Sequence, residues 1–255
     1  MTDLFKFENR DGLEQLKEVE SESVKLVLTD PPYLIPHIET VGSKSEHFNT
    51  TESFTLSDLQ SFVKEWYRVL TPGGTLICWF DVFKFETLKQ VCEDTGFSGR
   101  YRVVTWIKDT GKHLEVKKTY MGWTEWGLVV SKPPASKIIF NNKDETGKCI
   151  PHRGYFESDT PKGKVKFHPT QKPVDMFEEI VSLHTNPGDI VLDSFTGSGA
   201  TPMAYLLTGR NFIGAELNKE YFDKTRERLN KADDTDKSQS SMIYVPNFNS
   251  SPKQS

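Results

Sequence analysis

Val24-Lys25-Leu26-Val27-Leu28-Thr29-Asp30-Pro31-Pro32-Tyr33 joins an apolar run to an acid, two prolines and an aromatic ring. Residues 24–28 read as a buried strand, and residues 29–33 as a stiff corner at its carboxyl end. Proline fixes φ and gives up its N–H, so carbonyls in the corner are left to accept hydrogen bonds. Open α/β sheets bind ligands outside the carboxyl ends of their strands. A carboxylate, an unengaged carbonyl and an aromatic face at that place suit a planar ligand with an amino group. On these residues alone, a strand-ending turn capped by an aspartate reads equally well, and the flanking sequence decides between the two.

Upstream, residues 4–7 form a short apolar strand pattern, and Asp11-Gly12 leads into a helix with Leu13, Leu16 and Val19 at helical spacing. Downstream, residues 34–55 are polar and irregular, a long loop beside the corner of the kind that closes over a ligand. Ser57-Asp58 then starts a helix with Leu59, Phe62, Val63, Trp66 and Leu70 on one face. A Thr71–Gly74 turn and a buried strand over 75–80 follow, then a helix over 82–95. Residues 100–107 and 126–130 read as strands. Residues 131–167 are rich in Lys, Asn, Gly and Pro and read as a loop-rich insertion. Regularity returns with a helix after Pro173, a strand over 190–192, a helix over 200–207, a strand over 212–215 and a charged helix from Lys219 to Lys231. Alternating strands and helices predict a doubly wound, mostly parallel α/β sheet. Residues 232–255 are too polar to bury a core and are expected to form a disordered tail.

A second decisive stretch lies at the strand-to-helix turn Asp193-Ser194-Phe195-Thr196-Gly197-Ser198-Gly199. Glycines there let a ligand approach the backbone closely. Glu216 closes the following strand, where a carboxylate can bond a ribose diol. A dinucleotide fingerprint wants a third glycine three residues after Gly199, and Pro202 stands there. A ligand with a ribose and no phosphate fits better, and S-adenosylmethionine is the common one.

Net charge is −4, but unevenly placed. Residues 99–172 hold 15 Lys and Arg against 7 acids, a surplus of 8, which leaves the remainder at −12. A basic middle on an acidic body suits a polyanion. No apolar run approaches the roughly 20 residues of a membrane span, and no signal peptide is visible, so the cytoplasm is the expected compartment. Cys78, Cys92 and Cys149 are far apart, with neither zinc-ligand spacing nor a disulfide framework.

With these blocks in this order, the sequence resembles the β class of amino-group DNA methyltransferases, in which Asp-Pro-Pro-Tyr precedes Phe-x-Gly-x-Gly. The likeness covers most of residues 1–230 and is strongest at His168-Pro-Thr-Gln-Lys172-Pro173, Pro187-Gly188-Asp189, Leu192 to Thr201, and Gly214-Ala215-Glu216-Leu217-Asn218. It implies a permuted Rossmann-like sheet, with a catalytic half over 1–130, a basic target-recognition region over 131–167 and a cofactor-binding half over 168–231. Asp30, Pro31, Pro32 and Tyr33 are then catalytic. Asp193, Ser194, Phe195, Gly197, Gly199, Glu216 and Asn218 hold S-adenosylmethionine, with Lys172-Pro173 near its methionine end. Asp11 matches an acid that contacts the cofactor adenine, and a helix N-cap is its other reading. Arg10, Ser194 and Ala200 stand where the family usually has glycine, proline and threonine. Lys132, Lys137, Lys162, Lys164 and Lys166 are the expected DNA contacts.

The implied activity is transfer of a methyl group to the N6 amine of an adenine flipped out of double-stranded DNA, without a metal. Relatives acting on cytosine N4 generally carry serine in place of Asp30. Protein-glutamine and small-molecule methyltransferases generally have asparagine there, with the glycine motif first. A non-catalytic DNA-binding module is expected to lose Asp30, Tyr33 or the glycine pair, and all are intact. Beyond DNA, a homodimer and a cognate restriction endonuclease stay open as partners.

Overall fold

Val24–Thr29 buries both faces, as a strand in the middle of a covered sheet must. A computed structural model of the protein describes residues 4–32, 54–112, 122–162, 166–168 and 170–238. In chain order the elements are β1 (Phe5–Glu8), α1 (Gly12–Leu16), β2 (Val24–Thr29), α2 (Leu56–Val69), β3 (Leu70–Trp79), α3 (Phe85–Thr95), β4 (Arg102–Lys112) and β5 (Gly122–Ser131). Then come β6 (Tyr155–Ser158), α4 (Val174–His184), β7 (Ile190–Asp193), α5 (Ala200–Thr208), β8 (Asn211–Ala215) and α6 (Lys219–Ser238). They build one sheet in the order β1-β8-β7-β2-β3-β5-β4-β6. Only β5 runs against the others.

Alternation along the central strands divides the core in two. Leu76 and Cys78 of β3 point to one layer and Ile77 and Trp79 to the other. The first layer is closed by α1, α2 and α3, the second by α4 and α5. Helix α2 shows how local sequence sets this up. Thr55 and Asp58 form a reciprocal capping box at its start, and Leu59, Phe62, Val63, Trp66 and Val69 recur on its buried side. Gly96, at φ 115°, ends α3 in a conformation that favours glycine.

Strands β2 and β7 are neighbours, but the chain winds outward from them in opposite directions, through β3 on one side and β8 on the other. The carboxyl ends of β2 and β7 therefore flank a crevice of the kind that binds ligands in such sheets.

Three regions differ from the sequence expectation. The Thr71–Gly74 turn is a kink inside β3, where pairing slips from Val24–Leu70 to Leu26–Thr75. Gly73 sits there at φ 77°, and a Cβ on it would meet the Lys137 carbonyl at 2.4 Å. Residues 131–167 do not stand apart from the sheet: β6 lies parallel on β4, and Asn141 bonds the Ser182 and Thr185 carbonyls at the end of α4. Helix α6 continues past Lys231 to Ser238, into the stretch expected to be disordered. Among the described residues, no helix is long and apolar enough to cross a membrane.

Candidate active site

Asp30 follows directly on β2, with its side chain 22% exposed. Its Oδ2 accepts from Lys172 Nζ at 2.5 Å. The same ammonium lies 2.8 Å from Glu125 Oε2 on β5, and Glu125 Oε1 meets Lys108 Nζ of β4 at 2.5 Å. Lys172 is only 5% exposed and also sits 5.7 Å above the Trp79 ring. Burial pushes the Asp30 carboxyl above its ordinary value, although Lys172 pulls the other way. At Glu125 burial also pushes upward, but the two lysines outweigh it and the carboxyl ends below the ordinary range. Pro31 is buried and Pro32 exposed. Tyr33 and most of the 34–55 loop lie outside the described residues.

Asp193 at the end of β7 ties that strand to β2. Its Oδ1 accepts from Thr29 Oγ1 of β2 at 2.9 Å and from the Phe195 N–H at 3.0 Å, and its Oδ2 from Thr201 Oγ1 at 2.6 Å. Burial still pushes this carboxyl up to about 6. Ser194 Oγ accepts from the buried Trp66 indole at 3.0 Å, a bond that the proline usual at this position could not make. The Phe195 ring packs 4.6 Å from Phe62 and 5.7 Å from Phe54, closing the first core layer.

Beyond them the chain opens. Gly197 has φ 51° and Gly199 φ 79°, and a Cβ on Gly199 would strike Thr225 at 2.4 Å. Glu216 Oε2 accepts the Gly197 N–H at 2.7 Å and Oε1 the Asn218 N–H at 2.8 Å. Burial raises the Glu216 carboxyl despite these two donors. Leu217 beside it is 68% exposed. The His168 ring lies over Gly197, 4.4 Å from the Tyr221 ring, and burial and Lys172 push it down to about 4, so it is neutral at pH 7.

Two expected ligand residues have structural duties. Asn218 Oδ1 caps α6 by accepting the Glu220 and Tyr221 N–H groups. Asp11 Oδ1 caps α1 through the Leu13 and Glu14 N–H groups. Even so, Gly12 presses against the Ser194 carbonyl and Asn9 bonds the Glu216 and Leu217 carbonyls, so the Asp11 loop borders the crevice. Pro173, buried, stands at the N-cap of α4 directly after Lys172.

The expected basic face breaks up. Lys132 is buried: its Nζ donates to the Tyr67 and Leu70 carbonyls at 3.0 and 2.9 Å and pairs with Glu22 at 3.1 Å. A cation held this way closes the end of α2 and has no reach to a phosphate, which corrects the expectation for Lys132. Lys137 is exposed, but it packs on Gly73, at the sheet end opposite Asp30. Lys162 is exposed and paired with Asp109, and Lys166 is exposed. Lys164 lies outside the described residues. Sequence reading passed over Glu125, Lys108, Thr29 and Thr201. An acid inside the aromatic strand Trp123-Thr124-Glu125-Trp126 was the one visible signal. Among the described residues, no cluster of His, Cys, Asp and Glu is arranged to hold a metal.

Comparison with known proteins adds three findings. A family model described as DNA methylase matches residues 24–227. Among curated proteins, the chain is similar to the Type II methyltransferase M.HpaI of Haemophilus parainfluenzae, 28% identical over 238 residues, covering 86% of this chain and 72% of that protein. It is likewise similar to the DNA adenine methyltransferase YhdJ of Escherichia coli strain K12, 29% identical over 249 residues, covering 87% and 81%. Among solved structures, the M1.HpyAVI complex with SAM matches with a TM-score of 0.69 at 29% identity, over 89% of this chain and all of that one. The cytosine-N4-specific PvuII DNA methyltransferase shares the fold, with a TM-score of 0.70 at 20% identity over 90% and 87%.

Proposed function

Because the chain belongs to the DNA methylase family of N6 and N4 amino-methyltransferases, we propose that it methylates the N6 amine of adenine in double-stranded DNA. Its methyl donor is S-adenosylmethionine, the group bound in the M1.HpyAVI complex. One observation carries the reading: a carboxylate, Asp30, stands at the carboxyl end of β2, next to the Thr29–Asp193 bond that joins β2 to β7 at the switch point of the sheet. The name of YhdJ supports adenine as the base.

The crevice fits that donor. The two N–H groups on Glu216 fix its orientation, and each oxygen keeps a lone pair for one hydroxyl of a ribose diol. Exposed Leu217 offers an apolar face to a purine. Gly197 leaves open backbone under the His168 ring, where a side chain would narrow the space.

S-adenosylmethionine, when bound, supplies an electrophilic sulfonium methyl group. The chain's part is to make a poor nucleophile attack. The lone pair of an exocyclic amine is delocalised into its ring. Asp30 and the Pro31 carbonyl accept the two amino hydrogens and favour a pyramidal nitrogen whose lone pair is directed at the methyl group. Positioning and fixed dipoles supply most of the effect. The amine must shed a proton after transfer, and a carboxyl raised by burial is a suitable acceptor. The target atom is out of reach in a stacked duplex, so the base must be flipped out. By resemblance, Tyr33 is the residue that would stack on the flipped base. Within 131–167, exposed Lys162 and Lys166 are the DNA contacts we assign. The Type II kinship of M.HpaI supports pairing with a restriction endonuclease.

Nucleoside digestion of DNA treated with the protein and donor, followed by mass spectrometry, tests the assignment. N6-methyladenine is expected. N4-methylcytosine as the main product refutes the choice of base, and no methylated nucleoside refutes the activity.

A further inference from the structure

Four charged side chains from separate parts of the fold form an alternating row behind Asp30. Lys108 meets Glu125 at 2.5 Å, Glu125 meets Lys172 at 2.8 Å, and Lys172 meets Asp30 at 2.5 Å. Exposures of 16, 21, 5 and 22% for Lys108, Glu125, Lys172 and Asp30 shield the row from water. The strands that carry it are firmly registered, with Trp106 opposite Glu125 and Ile107 opposite Thr124. The Lys108 ammonium lies 5.1 Å over the Trp106 ring and Lys172 5.7 Å over Trp79.

The proposed reaction uses only the last member of this row. We propose that Glu125 and Lys108 are positioning residues for methyl transfer: they hold the Lys172 ammonium between two carboxylates and so set how strongly Asp30 accepts the target amine. The inference rests on reading Asp30 as that acceptor. An ammonium given wholly to Asp30 would neutralise much of its charge and weaken it as an acceptor, and one given wholly to Glu125 would leave Asp30 buried without a cation. Sharing keeps Asp30 charged while leaving it acceptor capacity. Lys108 balances Glu125 from the far side, so the row of two acids and two bases is neutral.

Coulomb's law gives the direction of each perturbation. The Asp30 and Glu125 oxygens that flank the Lys172 ammonium are at most about 5.3 Å apart, within the range where like charges raise each other's pKa. Glu125 therefore raises the Asp30 carboxyl and Lys108 lowers it. Among the described residues, the other titratable groups facing Asp30 are Asp193 at the end of β7 and the Cys78 thiol of β3, which burial pushes up; His168 faces Lys172. None of these changes in the variants below.

The test is a carbon-13 titration of aspartate-labelled full-length protein, with the Asp30 carboxyl assigned by its loss in Asp30→Asn. Glu125→Gln should move the Asp30 midpoint down and Lys108→Met should move it up, each by about one pH unit. The acid limb of kcat/KM for DNA should follow in the same two directions. Glu125→Gln should lower kcat at least tenfold with KM for S-adenosylmethionine unchanged, and Glu125→Asp should recover most of it. Midpoints that stay put, or move together, in variants with native circular dichroism overturn the proposal. Transfer surviving in Asp30→Asn strikes the proposed function instead, and the titration is read without reference to it.

Discussion

Replacing Thr29 by valine should weaken the protein in a pH-dependent way. Thr29 and Asp193 are both buried, and the hydroxyl supplies one of three donors to the carboxylate. Valine keeps the β-branched shape that suits a strand and removes only that donor. A hydrogen bond to a charged group is worth about 1.5–3 kcal/mol, and to a neutral one about 0.5–1.5 kcal/mol. Asp193 titrates in the folded protein at about 6, above the roughly 3.9 of an unfolded aspartate. A carboxyl raised in this way favours the folded state below the unfolded value, and that contribution is lost as pH rises through 6. Removing a donor that stabilises the anion raises the folded value further, so the loss deepens in the variant. Thr29→Val should therefore cost about 2 kcal/mol at pH 8, and under 1 kcal/mol at pH 4. At pH 8 that is a fall in Tm of about 4–8 °C. Urea unfolding of both proteins at pH 4, 6 and 8 measures the gap directly. Any gain from the extra buried methyl is the same at every pH, so the change in the gap is diagnostic. An equal penalty at pH 4 and 8 refutes the reasoning.

Three other outcomes are expected. Ser194→Ala leaves the Trp66 indole N–H buried without its acceptor and should cost about 1–3 kcal/mol, read by chemical unfolding; a loss below about 0.5 kcal/mol means the bond contributes little. Glu216→Ala should weaken S-adenosylmethionine binding by about 1–3 kcal/mol in calorimetry, and an unaltered Kd moves the ribose site elsewhere. Lys132→Met uncovers two buried carbonyls and should cost about 2–4 kcal/mol of stability while leaving the salt dependence of DNA binding as it was; a flattened slope would put Lys132 back on the DNA face.

The central sheet was legible because strands covered on both faces write continuous apolar runs. Residues 24–28, 75–80, 190–192 and 212–215 are mainly apolar, and each lies in a strand except Phe80, which follows the end of β3. Strand β6 left no such trace. It is four residues long at the sheet edge and buries only Phe156 deeply, while Tyr155 and Glu157 face out. Its pairing with β4 is a tertiary fact. The far end of α6 was lost for the opposite reason: composition judged 232–238 by hydrophobicity, while the backbone simply continues a helix already nucleated upstream.

The same divide runs through the site. Asp30, Asp193 and Glu216 could be picked out because each closes a strand, and strand ends in this class of sheet meet at the crevice. Glu125 and Lys108 could not, since their meeting depends on the β4–β5 register and on Lys172 arriving from before α4. The basic surplus of residues 99–172 shows how far a charge count can go. Lys108, Lys132 and Lys172 lie inside the protein with carboxylate partners, so their charges serve the fold and the row behind Asp30. Lys162 also has a partner, Asp109, but its side chain is 62% exposed. A surface pair of that kind is worth little and can exchange its carboxylate for a phosphate at small cost. What separates a lysine that can reach a phosphate from one that holds the fold is therefore burial of the lysine itself, 10% exposed at Lys132 against 62% at Lys162, and burial is decided by tertiary packing.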